Sequence, residues 1–176
     1  ANFKLRTLDQ SEFAFLTDTV DAHIDFDYQR GRFETIDNYS VSEFPKNLYV
    51  SYLDRFAWKM DENELEIESS PEPKTTYGRV SELESLKDED LPGALYMSTH
   101  KGQDSLRFIS EKMNYKLNDN TMHADKVKFI AVANARILPD EGKVTIQEKA
   151  KVKPLENAVI FADSVNKFHR FFNAEV

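Results

Sequence analysis

The chain of 176 residues contains no cysteine. Disulfides, thiol nucleophiles and thiolate zinc sites are therefore excluded. Glycine is scarce too: Gly31, Gly78, Gly93, Gly102 and Gly142 are never closer than nine positions. A Walker A loop, a dinucleotide fingerprint and a G-x-S-x-G elbow each need glycines within about six positions of one another, so none can be built. Those loops require glycine because only a residue without Cβ lets the backbone close on a phosphate or turn so sharply. No run approaches the ~18 apolar residues of a bilayer-crossing helix. The opening Ala1-Asn2-Phe3-Lys4 lacks the apolar stretch of a secretory signal. These absences predict a cytoplasmic protein with no membrane contact and no cofactor held in a backbone cradle.

What is present is a divided charge. Residues 1–95 carry 21 acidic against 10 basic residues, a net of −11. Residues 96–176 carry 10 acidic against 13 basic, a net of +3, and together they give the overall −8. A positive part on an acidic protein is informative because the remainder of the molecule opposes general polyanion binding. Hydrophobic content of 40% with 13 Phe supports a packed core, and the length suits a single one.

Periodicity predicts an α+β fold with a mixed, mainly antiparallel sheet. Residues 3–8 alternate as a strand. Asp9 and Glu12 have capping-box spacing, and Phe13, Leu16 and Val20 follow at helical intervals, so an N-terminal helix is expected over 9–22. Residues 23–37 read as a hairpin turning around Gln29-Arg30-Gly31-Arg32, and 47–53, 56–60 and 65–67 as further strands. Two prolines and four hydroxyl residues make 69–76 a loop, with a short helix after it at Val80, Leu83 and Leu86. A long hairpin is expected in the C-terminal half: 126–138 as one arm, a turn at 139–143 with Gly142 left-handed, and 144–152 as the other. Residues 158–162 read as a central strand, and Asp163-Ser164 as the cap of a C-terminal helix carrying Val165, Phe168 and Phe172. The organisation is one domain over 1–176, or two lobes (1–68 and 93–176) joined by an acidic excursion at 69–92. No internal repeat is visible.

Three constellations bear on function. On a strand, Lys143, Lys149, Lys151 and Lys153 share a face about 6.8 Å apart per residue pair, close to a phosphate repeat, and Arg136 and Lys128 on the other arm enlarge the patch. The plainer account is a solvated face whose lysines deter edge pairing. Residues 61–90 hold 11 acidic and three basic residues, among them Glu62, Glu64, Glu66, Glu68, Asp88, Glu89 and Asp90. Such a surface imitates DNA phosphates or docks a basic partner, in the manner of an inhibitor of the phage or bacterial-defence type, or else simply keeps the chain soluble. His23, Asp25 and Asp27 alternate on one strand face and have the donor types for a divalent ion in a metal-dependent hydrolase, a pattern equally ordinary on an exposed strand. Ser98 and His100 share a face without any oxyanion cradle nearby. The leading expectation is a non-enzymatic binding or accessory protein without cofactor or resident metal, contacting nucleic acid or another polyanion through the lysine face. A protein partner is expected too, and self-association through the C-terminal helix.

Overall fold

The computed structural model describes residues 2–36, 41–68, 93–162 and 169–176. They form two antiparallel sheets, and the chain visits them alternately, a hairpin at a time. β1 (Phe3–Arg6) and β2 (Phe13–Thr17) begin the larger sheet, and β3 (Val20–Asp25) and β4 (Arg30–Thr35) the smaller. β5 (Val41–Phe44) and β6 (Tyr49–Tyr52) return to the larger, β7 (Arg55–Lys59) and β8 (Glu64–Glu68) to the smaller. The alternation continues with β9 (Ala94–Ser98) and β10 (Arg107–Ser110), β11 (Lys112–Lys116) and β12 (Thr121–Asp125), then β13 (Ile130–Val132) and β14 (Ala135–Leu138). β15 (Val144–Ile146) ends the smaller sheet, and β16 (Ala158–Ala162) and β17 (His169–Ala174) end the larger. The larger sheet has the order β1-β2-β5-β6-β9-β10-β13-β14-β16-β17 and the smaller β15-β12-β11-β8-β7-β4-β3. The pairs β6–β9 and β8–β11 join residues before 69 to residues after 92 in both sheets.

Between the sheets runs an aromatic core. Phe3 lies 4.2 Å from Phe33, Phe33 stacks on Phe56 at 4.5 Å, and Phe15 meets Phe56 edge-on at 5.0 Å. Phe44 meets Tyr115 at 5.3 Å, and Tyr96 stacks on Phe108 at 5.4 Å. Phe15, Phe33, Phe44, Tyr96, Phe108 and Tyr115 are fully buried, each contributing about 1.5–3 kcal/mol by leaving water. Hairpins with one apolar face have to be covered in this way, which is why the strands sort into two layers. Gly93 (φ +125°) is needed at the entrance to β9, where a Cβ would lie 2.5 Å from the Ser110 carbonyl oxygen.

The α+β expectation is corrected: the described residues contain strands and two short 3-10 turns, and no α-helix. Residues 9–22 form a turn followed by β2 and the start of β3. The Asp9 carboxylate accepts from the Ser11 amide (3.1 Å), the Ser11 hydroxyl (2.8 Å) and the Thr7 hydroxyl (2.5 Å). The capping chemistry is real, but it closes a strand-to-strand turn. The helical spacing of Phe13, Leu16 and Val20 misleads, because the buried pair in β2 is Ala14 and Phe15, and Phe13 is exposed.

The C-terminal helix is not formed either. Residues 169–174, Phe172 included, are β17, and the cap and first turn expected at 163–168 lie outside the described residues. The long C-terminal hairpin is also corrected. Ala133 (φ 46°) turns the chain inside the expected first arm, so β13 and β14 are themselves a hairpin. Gly142 is left-handed (φ 66°) as expected, but its turn carries the chain from the larger sheet to the smaller, so β14 and β15 do not pair. Ala158–Ala162 is a strand, but it stands next to the sheet's edge rather than at its centre. The hairpin expected over 23–37 is present, with its turn at 26–29, three residues earlier than expected. The loop and helix expected within 69–92 lie outside the described residues. No helix among the described residues is long and apolar enough to cross a membrane.

Candidate functional site

The lysine-bearing segment begins in β15 and then folds back. Val152 bridges to Ile146, the Gln147 amide donates to the Lys151 carbonyl (2.8 Å), and the Lys153 amide to the Thr145 carbonyl (2.9 Å). At its tip Lys149 (φ 57°) and Ala150 (φ 59°) are both left-handed, a costly conformation for residues with a Cβ. The surroundings hold it in place. The Lys149 amide donates to the Lys46 carbonyl (2.8 Å), Gln103 Nε2 to the Ala150 carbonyl (2.6 Å), and Asn120 Nδ2 to Glu148 Oε1 (2.8 Å). The backbone is thus pinned from two hairpin loops and the Glu148 side chain from a third, while the Lys149, Lys151 and Lys153 side chains are exposed and make no ion pair with any described residue.

Lys153, Thr145 and His123 stand side by side on the outer face of the smaller sheet, since Lys153 lies beside Thr145 and Thr145 pairs with His123. Thr145 Oγ1 is 3.4 Å from His123 Nδ1. Burial pushes the His123 imidazole below its ordinary pKa, and the ammonium groups of Lys116 and Lys153 push it further down, against the opposing pull of Asp119 and Asp125. Lys116 is exposed and unpaired among the described residues. Two ammonium groups, from β11 and from the segment after β15, thus face this corner together with the Asp119 and Asp125 carboxylates.

The other cations expected in the patch lie elsewhere. Lys143 is bound to Glu141, which raises the pKa of the amine and lowers that of the carboxyl. Arg136 is on β14 in the larger sheet, its guanidinium 4.7 Å from the centre of the Phe129 ring, and Lys128 precedes β13 of that sheet. The six residues do not share one hairpin face.

The acidic candidates are engaged where they are described. Glu62 meets Arg30 (3.2 Å) and Lys59 (3.9 Å), and Glu64 meets Lys59 (3.9 Å). Glu66 meets Lys112 (2.7 Å) and Lys59 (3.0 Å), and Glu68 meets Lys112 (3.7 Å). Asp88, Glu89 and Asp90 lie outside the described residues. Of the metal candidates, Asp25 spends one oxygen on the amides of Asp27 and Tyr28 (both 3.1 Å), and His23 projects from β3 beside Arg32 of β4. Asp27 falls in the intervening turn. No group of three metal-donor side chains stands together among the described residues. Ser98 Oγ accepts from the His100 amide (3.1 Å), and His100 Nδ1 accepts from the Gly102 amide (3.1 Å), so that pair closes a turn.

Sequence reasoning missed the part played by Lys116 and His123, which reach the corner only because β11 and β12 lie next to β15. It also missed a depression of about 350 Å³ on the same outer face, lined by Arg32, Glu34, Arg55, Ala57, Glu66 and Glu68. The charges that border it are of both signs. No protein-family model matches the chain, and no curated protein aligns with it significantly.

Proposed function

We propose that this protein is a non-enzymatic binding or accessory protein that contacts nucleic acid or another polyanion through Lys149, Lys151 and Lys153, with Lys116 beside them. The observation that carries this reading is the pinned fold-back. A segment held in a costly left-handed conformation by bonds from three loops presents cations that have no partner among the described residues. Phosphate contacts favour such an arrangement, because the ordering of the backbone is already complete before the ligand arrives. Docking a basic protein through Glu62–Glu68 is the weaker reading, since those carboxylates would exchange one set of cations for another.

If four lysines each neutralise a phosphate, the logarithm of duplex DNA affinity falls with the logarithm of salt with a slope of about 3.6. A gel-shift titration with DNA and RNA at several salt concentrations measures it. The double variant Lys149→Glu, Lys151→Glu is expected to lose at least half of that slope. His123 provides a second readout: a bound polyanion offsets Lys116 and Lys153, so its NMR titration midpoint rises on binding. Absence of binding at low salt, or a slope indifferent to the double variant, overturns the proposal.

A further inference from the structure

Two sheets have four edges, and three of them are protected against pairing with another chain. β1 is four residues long and exposes Lys4 and Arg6. β3 carries Asp21, His23 and Asp25 at alternate positions. β15 is three residues long, and its outer side is taken by Val152. Short strands, charges and a covering segment are the usual devices by which edges avoid further pairing.

β17 is less protected: its only basic side chains are His169 and Arg170, the Arg170 guanidinium lies over the Phe161 and Phe172 rings, and its one irregularity is the left-handed Asn173 (φ 51°) near its end. It is six residues long, His169-Arg170-Phe171-Phe172-Asn173-Ala174, without proline, lysine or carboxylate. Among the described residues it pairs with β16 alone. All of its residues from His169 to Asn173 are exposed. Phe171 is 54% exposed and Phe172 60%, and successive residues of a strand point to opposite faces. Each face of this edge therefore presents one exposed Phe ring, Phe171 beside His169 and Phe172 beside Arg170.

We propose that β17 pairs antiparallel with β17 of a second copy of this chain, about a two-fold axis perpendicular to the sheet through Phe171. In that register Phe171 meets the second copy's Phe171 on the inner face. On the outer face Arg170 meets the second copy's Phe172. Arg170 already makes that contact within its own chain, where the guanidinium is 4.4 Å from the Phe172 ring centre and 4.9 Å from that of Phe161. No like charges are opposed, and the strand is complementary to itself, which a closed two-fold contact requires. The two Phe side chains offer roughly 200 Å² of apolar surface per chain. With the backbone ladder the interface is well below the ~1,600 Å² of a standard complex, so the dimer is reversible, with Kd from about 10 μM to several hundred μM.

Sedimentation velocity of the full chain from about 5 μM to about 1 mM spans that range. The expected result is a monomer that becomes a dimer with concentration. Phe171→Lys, which sets two ammonium groups face to face, is expected to stay monomeric throughout with an unchanged circular dichroism spectrum. The absence of native cysteine allows a second measurement that tolerates any loss of fold in that variant. Phe171→Cys is expected to oxidise to a disulfide-linked dimer at least tenfold faster than Ile24→Cys on the β3 edge. A native chain that sediments as a monomer to the highest concentration overturns the proposal, as does equal oxidation of the two cysteine variants.

Discussion

The Asn47 side chain is fully buried, and its Nδ2 donates to the Asn120 carbonyl at 2.7 Å and to the Ile146 carbonyl at 3.4 Å. One amide therefore ties a turn of the larger sheet to a hairpin loop and an edge strand of the smaller. Tyr115 donates to Asn120 Oδ1 (3.1 Å), and the neighbouring Lys46 carbonyl receives the Lys149 amide. These bonds place the lysine-bearing fold-back. Replacing Asn47 by Leu leaves two carbonyls without their donor in a buried site, and the expected cost is about 1–3 kcal/mol. Urea unfolding measures it. If Asn47→Leu unfolds at the native midpoint, Asn47 does not hold the sheets together.

At the scale of the element, one loop recurs. Loops 26–29, 45–48, 60–63 and 117–120 each close a hairpin with a left-handed fourth residue: Gln29 (φ 52°), Leu48 (φ 55°), Asn63 (φ 52°) and Asn120 (φ 49°). In the first three, the fourth amide donates to the first carbonyl at 3.3 Å. This is the internal repeat that is invisible in the sequence. Only Asn63 and Asn120 are residues that favour the left-handed region, so only two of the four loops carry a legible signal. Gln29 is exposed and does not. Gln29→Asn is expected to stabilise the chain by roughly 0.5 kcal/mol, and Gln29→Val, β-branched, to destabilise it by about 1 kcal/mol. Thermal unfolding of the two variants checks the sign; equal midpoints refute it.

At the scale of the molecule, the outer face of the smaller sheet is a lattice of opposite charges. Hydrogen bonds from Lys112 and then Lys59 hold the Glu66 carboxyl below its ordinary value, and Arg30 does the same to Asp61. Hydrogen bonds from Thr7 and Ser11 bring Asp9 to about 2. A carboxylate with a lowered folded pKa stabilises above its unfolded value and loses that contribution as pH falls through the folded one. Burial, and then Lys116 and Lys153, disfavour the protonated His123 imidazole in the fold, so it too removes stability as pH falls below its ordinary 6.5. Both effects make stability fall on acidification below pH 6.5, with the carboxylate part below 4.5. Glu66→Gln is therefore expected to lower Tm at pH 7, and the difference from the native chain is expected to close as pH drops below 4.5. A difference that persists undiminished to pH 2.5 refutes the lattice's role.

What the residues alone determined is chiefly local and compositional. Alternation placed β1, β7, β8 and the β3–β4 hairpin, because a half-buried strand needs a two-residue period wherever it lies, while apolar runs placed β6 and β16 and turn chemistry the left-handed Gly142. The missing cysteine and sparse glycine excluded whole classes of chemistry. Only the tertiary structure decided which sheet each strand joins. Pro139–Lys143 reads as a hairpin turn, yet it links two layers, since a turn sets the direction of the chain and not the neighbour it meets. The Asp9 cap closes a strand turn for the same reason: the burial of Phe15 against Phe44 and Phe56 outweighs a helical preference of a few tenths of a kcal/mol per residue. The corner of Lys116, His123 and Lys153 exists because strands distant in the chain are adjacent in the sheet, and that adjacency is a property of the packed core rather than of any local run of residues.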